Sequence, residues 1–177
     1  MHSSKVPGAP WRHQVQVVER LQQPPSGREA REDWRTSQKF LVPHSTGSGK
    51  SITMALMAWS LRRLECADGC RFAVVLILSD RVQLNQQPGC ICKAFLEKAG
   101  VPRNHVRTCS DGHSELTKVL GDVAAHKGHA CNIVVTTKQR FDKMGDAGAC
   151  GMLQPIARRG RVAIIGDHLP FSIYHVV

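Results

Sequence analysis

The sequence predicts a three-layer α/β domain, in which a mostly parallel sheet of about five strands is flanked by helices on both faces. Apolar strand-like runs alternate with amphipathic helical stretches along the chain, which is typical of parallel sheets with helical crossovers. The clearest strand candidate, residues 72–78, is apolar throughout, as expected for a strand buried on both faces. A glycine-rich turn at residues 45–49 lies between an apolar run and a helical stretch.

The first elements precede and follow this turn. Residues 11–22 have apolar side chains at spacings of three and four, which predicts a short amphipathic helix. Residues 23–37 contain two prolines, a Ser-Gly pair and many charges, which indicates a loop or a partly disordered insert. The apolar residues 40–42 predict a strand, and residues 50–65 predict a helix. The positions that mark the turns of these two helices are Trp11, Val15, Val18, Leu21, Ile52, Leu56, Trp59 and Arg63.

The later elements continue the alternation. Residues 80–87 and 91–99 are predicted helices, interrupted by Pro88-Gly89. Residues 105–109 are a weak strand candidate, and residues 114–126 predict a helix with one apolar side. The last two predicted strands are residues 131–136 and 162–165.

Composition and charge limit the class of protein. The 177 residues suffice for one domain with an apolar core, and the charged fraction of 21% argues against wholesale disorder. The net charge of +10 favours an anionic partner such as nucleic acid, although a generally basic proteome would also explain it. Residues 1–10 lack the apolar core of a signal peptide, and no apolar run approaches the roughly 20 residues that span a bilayer. We therefore expect an intracellular protein, cytoplasmic or nuclear, that does not associate with a membrane.

The cysteines and histidines do not predict a metal site. The seven cysteines are odd in number and irregularly spaced, so neither a disulfide framework nor a paired zinc motif can be drawn. We interpret them as free buried thiols in a reducing compartment. The nine histidines include no His-x-x-x-His pair on a predicted helix, so they suggest no ligand set.

Residues 45–51 read Ser-Thr-Gly-Ser-Gly-Lys-Ser and carry the clearest functional signal. Glycines in such a loop let the backbone wrap around phosphate oxygens, and the following helix N-terminus faces the anion. Lys50 can reach the β- and γ-phosphates, and the Ser51 hydroxyl can hold Mg²⁺. An ordinary flexible turn would also contain glycines, but the flanking strand and helix favour a site for ATP and Mg²⁺. The predicted nucleotide-binding residues of this loop are Thr46, Gly47, Ser48, Gly49, Lys50 and Ser51, and His44 occupies the position of the usual first glycine.

Four segments, in the right order, resemble the superfamily 2 helicases and translocases. Residues 46–51 resemble motif I of that superfamily, and residues 11–14 resemble the aromatic/basic-x-Gln stretch that precedes it. Residues 79–87 resemble motif Ia, with its Asp-Arg-x-x-Leu-x-x-Gln pattern, and residues 134–141 resemble the Thr-Thr-x-Gln-x-Phe of motif Ib. The chain is most similar to the helicase/UvrB-type N-terminal domain found in the motor subunits of type I and type III restriction enzymes. The resemblance covers roughly residues 11–168.

The resemblance implies a RecA-like P-loop NTPase domain at residues 39–168, preceded by a flexible tail at 1–10 and a helix and loop at 11–38. It also implies ATP hydrolysis coupled to DNA translocation or unwinding, with Gln14 contacting the adenine. Each residue role has a simpler alternative. Gln14 would be a surface residue of an amphipathic helix, and Asp80 would cap the helix after its strand. Arg81 and Gln87 would be solvated, and Thr136 and Thr137 would be strand-end residues with local hydrogen bonds. The residues that the resemblance places on DNA are Asp80, Arg81, Gln87, Thr136, Thr137 and Gln139.

The resemblance breaks at the last predicted strand. Motif II of the family is Asp-Glu-Ala-His, whereas this chain reads Gly-Asp-His-Leu-Pro at residues 166–170. Asp167 is in register to coordinate magnesium, and with Lys50 it is the predicted catalytic pair. His168 replaces the glutamate that polarises the attacking water in the family, so we expect weak or absent hydrolysis. Residues 169–177 do not resemble the family, and the resemblance implies a second RecA-like domain that this chain does not contain.

These observations lead to one interpretation and three rivals. We interpret the chain as the ATP-binding and DNA-binding N-terminal half of a translocase, with an incomplete RecA-like fold. The first rival is a pseudoenzyme that binds nucleotide without hydrolysing it, and the second is a non-functional gene fragment. The third, a P-loop kinase acting on a small molecule, shares motif I but does not predict the motif Ia and Ib segments.

Overall fold

The fold is taken from a computed structural model, which describes residues 10, 12–22, 49–64, 71–79, 88–109, 112–125 and 132–166. None of the described helices combines the length and the apolar character needed to cross a bilayer. In chain order the elements are α1 (Arg12–Gln22), α2 (Lys50–Arg63), β1 (Phe72–Ser79), α3 (Pro88–Lys98), a 3₁₀ turn (Arg103–His105), β2 (Val106–Thr108), α4 (Gly112–Ala125), β3 (Asn132–Thr137), α5 (Lys138–Asp142), α6 (Gly145–Ala157) and β4 (Arg161–Gly166).

The four described strands form one parallel sheet in the order β2-β3-β1-β4. β1 is central: Leu76 pairs with Val134 of β3 on one side and with Ile164 of β4 on the other. The chain moves from β1 to β2 past α3, and then returns through α4 and α6 on the opposite face. The direction of movement along the sheet and the face on which the connecting helix lies are reversed together. The crossovers therefore have the same handedness, as expected for parallel strands.

Each strand sends alternate side chains into two apolar layers. Val75 and Ile77 pack with α1, α2 and α3, whereas Val74 and Leu76 pack with α4 and α6. Because β1 contributes to both layers, it is apolar from Phe72 to Leu78. Each fully buried aliphatic side chain contributes about 1.5–3 kcal/mol to stability. The predicted α/β class, with a mostly parallel sheet flanked by helices, is therefore confirmed.

Most of the predicted elements that fall on described residues are confirmed to within a few residues. The helix after the glycine-rich turn, the central strand and the weak candidate at 105–109 all form. One boundary differs, because Pro88 and Gly89 open α3 instead of interrupting a helix. Proline lacks a backbone N–H, which the first turn of a helix does not use, so it fits there without loss of a hydrogen bond. The predicted loop at 23–37, strand at 40–42 and helix at 80–87 lie outside the described residues.

Two helices, α5 and α6, were not predicted. α6 contains Gly148, Gly151 and Pro155, all of which have low intrinsic helix propensity. It nevertheless forms, since Leu153 and Ile156 bury their side chains against the sheet. Tertiary packing of one apolar face outweighs the unfavourable local sequence.

Gly160, at the turn from α6 into β4, allows a close backbone approach. A Cβ at this position would lie 2.6 Å from the Arg71 carbonyl oxygen and 3.1 Å from the Ala73 Cβ. Arg71 is held in place because its carbonyl accepts a hydrogen bond from the Arg161 amide at 2.9 Å. We therefore expect Gly160→Ala to lower the free energy of unfolding by about 1–3 kcal/mol, measured as a lower midpoint in urea.

Gly151→Ala in α6 is the matched control for this substitution. A Cβ at Gly151 meets no described atom within 4 Å, so this change should be neutral or stabilising by about 0.5–1 kcal/mol. A Gly160→Ala protein with the midpoint of the wild type would show that the backbones of β1 and β4 do not approach as closely as described.

Candidate functional site

The first turns of α2 and α3 meet at the carboxyl end of the sheet. α3 follows β1 in the chain, so it begins at that end. The Cys92 thiol donates to the Ser51 carbonyl at 3.2 Å, and the Trp59 indole N–H donates to the Ala99 carbonyl at 3.2 Å. These two contacts align α2 and α3 side by side in the same direction. The N-terminus of α2 therefore lies at the carboxyl end of the strands, where parallel α/β sheets bind their ligands.

Gly49 sets the geometry of this helix N-terminus. It caps α2 with φ 77° and ψ 32°, a left-handed conformation that favours glycine. Its carbonyl accepts the amide hydrogens of Ile52 and Thr53 at 2.9 and 3.1 Å, which closes the first turn. The glycine predicted to let the backbone wrap around phosphate is thus at a position that requires glycine.

Lys50 and Ser51 are the first two residues of α2, and both are partly exposed. Their backbone N–H groups have no acceptor further back in the helix, because a helix leaves its first amides unpaired internally. The first turn contains no acidic residue. A helix dipole, a lysine side chain and a hydroxyl are therefore collected at one point, which suits a phosphate group.

Gln14 of α1 contacts this turn directly. Its side chain is 3% exposed, and its Nε2 donates to the Gly49 carbonyl at 3.3 Å. A Cβ on Gly49 would lie 2.8 Å from the same Nε2. Val18, one turn further along α1, is buried in the same apolar layer as α2. The structure thus places Gln14 in the interior against Gly49 at the N-terminus of α2, and not on the surface as the simpler alternative proposed.

The motif Ib segment ends β3 and begins α5. Thr136 and Thr137 are buried, at 0% and 2% exposure, whereas Gln139 is exposed. The Thr137 hydroxyl accepts from the Arg140 amide at 3.3 Å and so caps α5. This is a local hydrogen bond, as the simpler alternative for Thr137 suggested. The Arg140 guanidinium donates to the Cys109 carbonyl at 3.0 Å, which ties α5 to the end of β2. Of the predicted DNA contacts in this segment, Gln139 presents an exposed side chain.

The described cysteines are free thiols of two kinds. Cys92 and Cys109 are buried, as predicted, whereas Cys90 and Cys150 are exposed, which corrects the prediction of buried thiols throughout. Burial, together with the negative charge of Glu115, raises the pKa of the Cys109 thiol to about 11. Cys109 is therefore a neutral thiol at neutral pH and a poor nucleophile. The remaining cysteines, Cys66, Cys70 and Cys131, lie outside the described residues.

The described part of the candidate site consists of Gln14, Gly49, Lys50 and Ser51. Within the described ranges, no three His, Cys, Asp or Glu side chains are grouped so that they could hold a metal ion. Apart from the motif Ib residues, the other predicted site residues lie outside the described part of the chain: Thr46, Gly47, Ser48, Asp80, Arg81, Gln87 and Asp167.

Ser79, at the end of β1, is a polar residue of this edge that the sequence did not single out. Its side chain is 1% exposed, and its hydroxyl has no hydrogen-bond partner among the residues that the structure describes. Its position in the sequence could have indicated a role, because Ser79 ends an otherwise apolar predicted strand and directly precedes Asp80. In a parallel sheet that place lies at the ligand-binding edge.

Comparison with known proteins gives one match. A family model described as SWI2/SNF2 ATPase matches residues 13–169. The match begins directly before Gln14 and includes the glycine-rich loop, all four described strands and Asp167. Neither the curated proteins nor the solved structures give a match.

Proposed function

Since the chain belongs to the SWI2/SNF2 ATPase family, we propose that it is an ATP-binding and DNA-binding domain of a DNA translocase. The family consists of helicase-like ATPases, so the chain is an ATP-binding domain of that kind, as the motif I resemblance predicted. Membership also removes the small-molecule kinase from the alternatives. Binding of DNA, coupling to translocation and similarity to the restriction-enzyme motors are parts of the proposal.

The observation that carries the proposal is the N-terminus of α2. Gly49 adopts the left-handed conformation that turns the loop into the helix, and Lys50 and Ser51 follow at once. In the proposed complex, the first-turn amides and the Lys50 ammonium bind phosphate oxygens of ATP, and the Ser51 hydroxyl binds Mg²⁺. The metal neutralises charge on the phosphates when bound, and Asp167 is its proposed carboxylate partner.

In this proposal, Gln14 links recognition of the adenine to the glycine-rich loop at residues 45–49, which would bind the phosphates. It lies on α1, yet its amide donates to the Gly49 carbonyl. A glutamine that also contacts adenine would therefore bind the base and hydrogen-bond to Gly49 with the same side chain. Substituting it would affect both the affinity for ATP and the choice of base.

The proposed DNA contacts lie at the carboxyl ends of β1 and β3. Gln139, exposed in the first turn of α5, is the side chain of the motif Ib segment best placed to reach a DNA strand. Thr137 would act indirectly by capping α5, and Thr136 is buried. Asp80, Arg81 and Gln87 remain proposed contacts from motif Ia. The net charge of +10 supports a polyanionic partner.

Hydrolysis by this chain is proposed to be weak or absent. His168 stands where the family has the glutamate that polarises the attacking water. The same histidine favours a second candidate function, a nucleotide-binding pseudoenzyme.

The test is to measure Mg-ATP binding and ATP turnover by the purified chain, with and without duplex DNA, and DNA binding by fluorescence anisotropy at several salt concentrations. We expect saturable Mg-ATP binding, turnover near the background rate and salt-dependent DNA binding that Gln139→Ala weakens by about two- to tenfold. DNA-stimulated turnover would contradict our interpretation of His168. A folded chain that does not bind Mg-ATP would contradict the proposal as a whole.

A further inference from the structure

Two hydroxyl groups at the carboxyl end of the sheet are buried and have no hydrogen-bond partner in the described part of the chain. They belong to Ser79, at 1% exposure, and Thr136, at 0%. Within the described residues, neither Ser79 Oγ nor Thr136 Oγ1 has a hydrogen-bond partner. Burying a polar group without a hydrogen bond is unfavourable, so native proteins contain few such groups, and each one calls for a physical reason.

The two hydroxyls lie on opposite faces of the sheet. β1 and β3 pair in regular register up to their ends, with Leu78 opposite Thr136 and Ser79 opposite Thr137. Side chains alternate along a strand, so Ser79 shares the face of Val75 and Ile77. Thr136 shares the face of Val134, in the layer of α4 and α6. Ser79 therefore faces the helix layer that contains α2, and Thr136 faces away from it.

Ser79 lies on the face of the sheet that α2 covers. α2 packs directly on β1, and its N-terminus is at the carboxyl end of the strands, next to the first turns of α3. The neighbouring hydroxyl on the same face, Thr137, already caps α5. A buried hydroxyl without a partner thus faces the same end of the layer at which Lys50 and Ser51 begin α2.

We propose that Ser79 is a further residue of the nucleotide site, whose hydroxyl donates a hydrogen bond to a phosphate oxygen of ATP bound at the N-terminus of α2. The assignment rests on the proposed nucleotide binding. This role explains why the Ser79 hydroxyl has no hydrogen-bond partner among the described residues, because its acceptor would be a phosphate oxygen of the bound ATP. Desolvation of the hydroxyl then occurs on folding, before binding, and the hydrogen bond to an anionic phosphate oxygen adds to affinity.

The experiment compares Ser79→Ala with Thr136→Val, since both remove an unpaired hydroxyl from the same edge but on opposite faces. Thermal unfolding is followed without nucleotide, and the affinity for the Mg²⁺ complex of adenylyl imidodiphosphate is measured by calorimetry. Without nucleotide, both variants should unfold at or above the wild-type midpoint, because each loses an unsatisfied polar group. With the analogue, Ser79→Ala should bind about three- to tenfold more weakly, and Thr136→Val should bind like the wild type.

Three results would overturn the assignment of Ser79. The first is wild-type affinity in Ser79→Ala, and the second is an equal loss of affinity in Thr136→Val, because the effect would then not depend on the face. The third is a lower unfolding midpoint of Ser79→Ala without nucleotide, which would mean that the hydroxyl already has a partner. A wild-type chain that does not bind the analogue would instead refute the proposed function, and the assignment would fall with it.

Discussion

Lys50→Ala is expected to weaken the binding of Mg-ATP by about thirtyfold or more. Removing a charge that pairs with a buried or bound counter-charge typically costs about 2–5 kcal/mol, and about 1.4 kcal/mol is a factor of ten in affinity. Lys50 is partly exposed at the first position of α2, and it is absent from both apolar layers. The fold should therefore persist, with the same far-ultraviolet circular dichroism and a nearly unchanged unfolding midpoint.

The matched control is Lys118→Ala, which removes the same charge from an exposed position of α4 on the other face of the sheet. It should leave the affinity for Mg-ATP within about twofold of the wild type, because exposed charges distant from a ligand are screened by salt. Equal losses in the two variants would indicate that net charge, and not a phosphate site at α2, governs nucleotide binding. Calorimetric titration at two salt concentrations separates these outcomes.

The parts of the fold that could be predicted are those in which local pattern and tertiary environment agree. β1 is apolar at every position from 72 to 78, and the structure buries it between two helix layers. α6 shows the opposite case, since its glycines and Pro155 weaken the local signal while Leu153 and Ile156 provide the packing that forms the helix. Such packing depends on strands distant in sequence, so helix propensity does not contain it.

In the candidate site, too, some residues could be predicted from local sequence and others depend on the assembled fold. Gly49, Lys50 and Ser51 are adjacent in sequence, so the loop motif alone was enough to predict them as site residues. The contact between Gln14 and Gly49 joins residues 35 positions apart, and the spacing of α1 alone gave no indication of it. The unpaired hydroxyl of Ser79 depends on strand register and burial, which are properties of the assembled sheet.

Gly49→Ala is expected to impair both folding and nucleotide binding. The left-handed conformation at φ 77° is unfavourable for any residue with a Cβ by about 1–2 kcal/mol, which should appear as a loss of unfolding free energy in urea. The new Cβ would also lie 2.8 Å from Gln14 Nε2, so the glutamine must move away from the loop. Because we propose that the same backbone approaches the phosphates of ATP, the affinity for Mg-ATP should fall by about tenfold or more.

A double-mutant cycle with Gln14→Ala separates the two effects of Gly49→Ala. Gln14→Ala removes the side chain that meets the new Cβ, so the destabilisation of the double variant should be smaller than the sum of the single variants. The backbone strain at Gly49 is independent of Gln14 and should remain, so the double variant should still be less stable than Gln14→Ala alone. Gly121→Ala in α4, where a Cβ meets no described atom within 4 Å, gives the baseline for an unstrained change. If the losses of unfolding free energy in the two single variants were strictly additive, Gln14 would not contact the Cβ introduced at Gly49. If Gly49→Ala were as stable as the wild type, the left-handed conformation at the start of α2 would not be required.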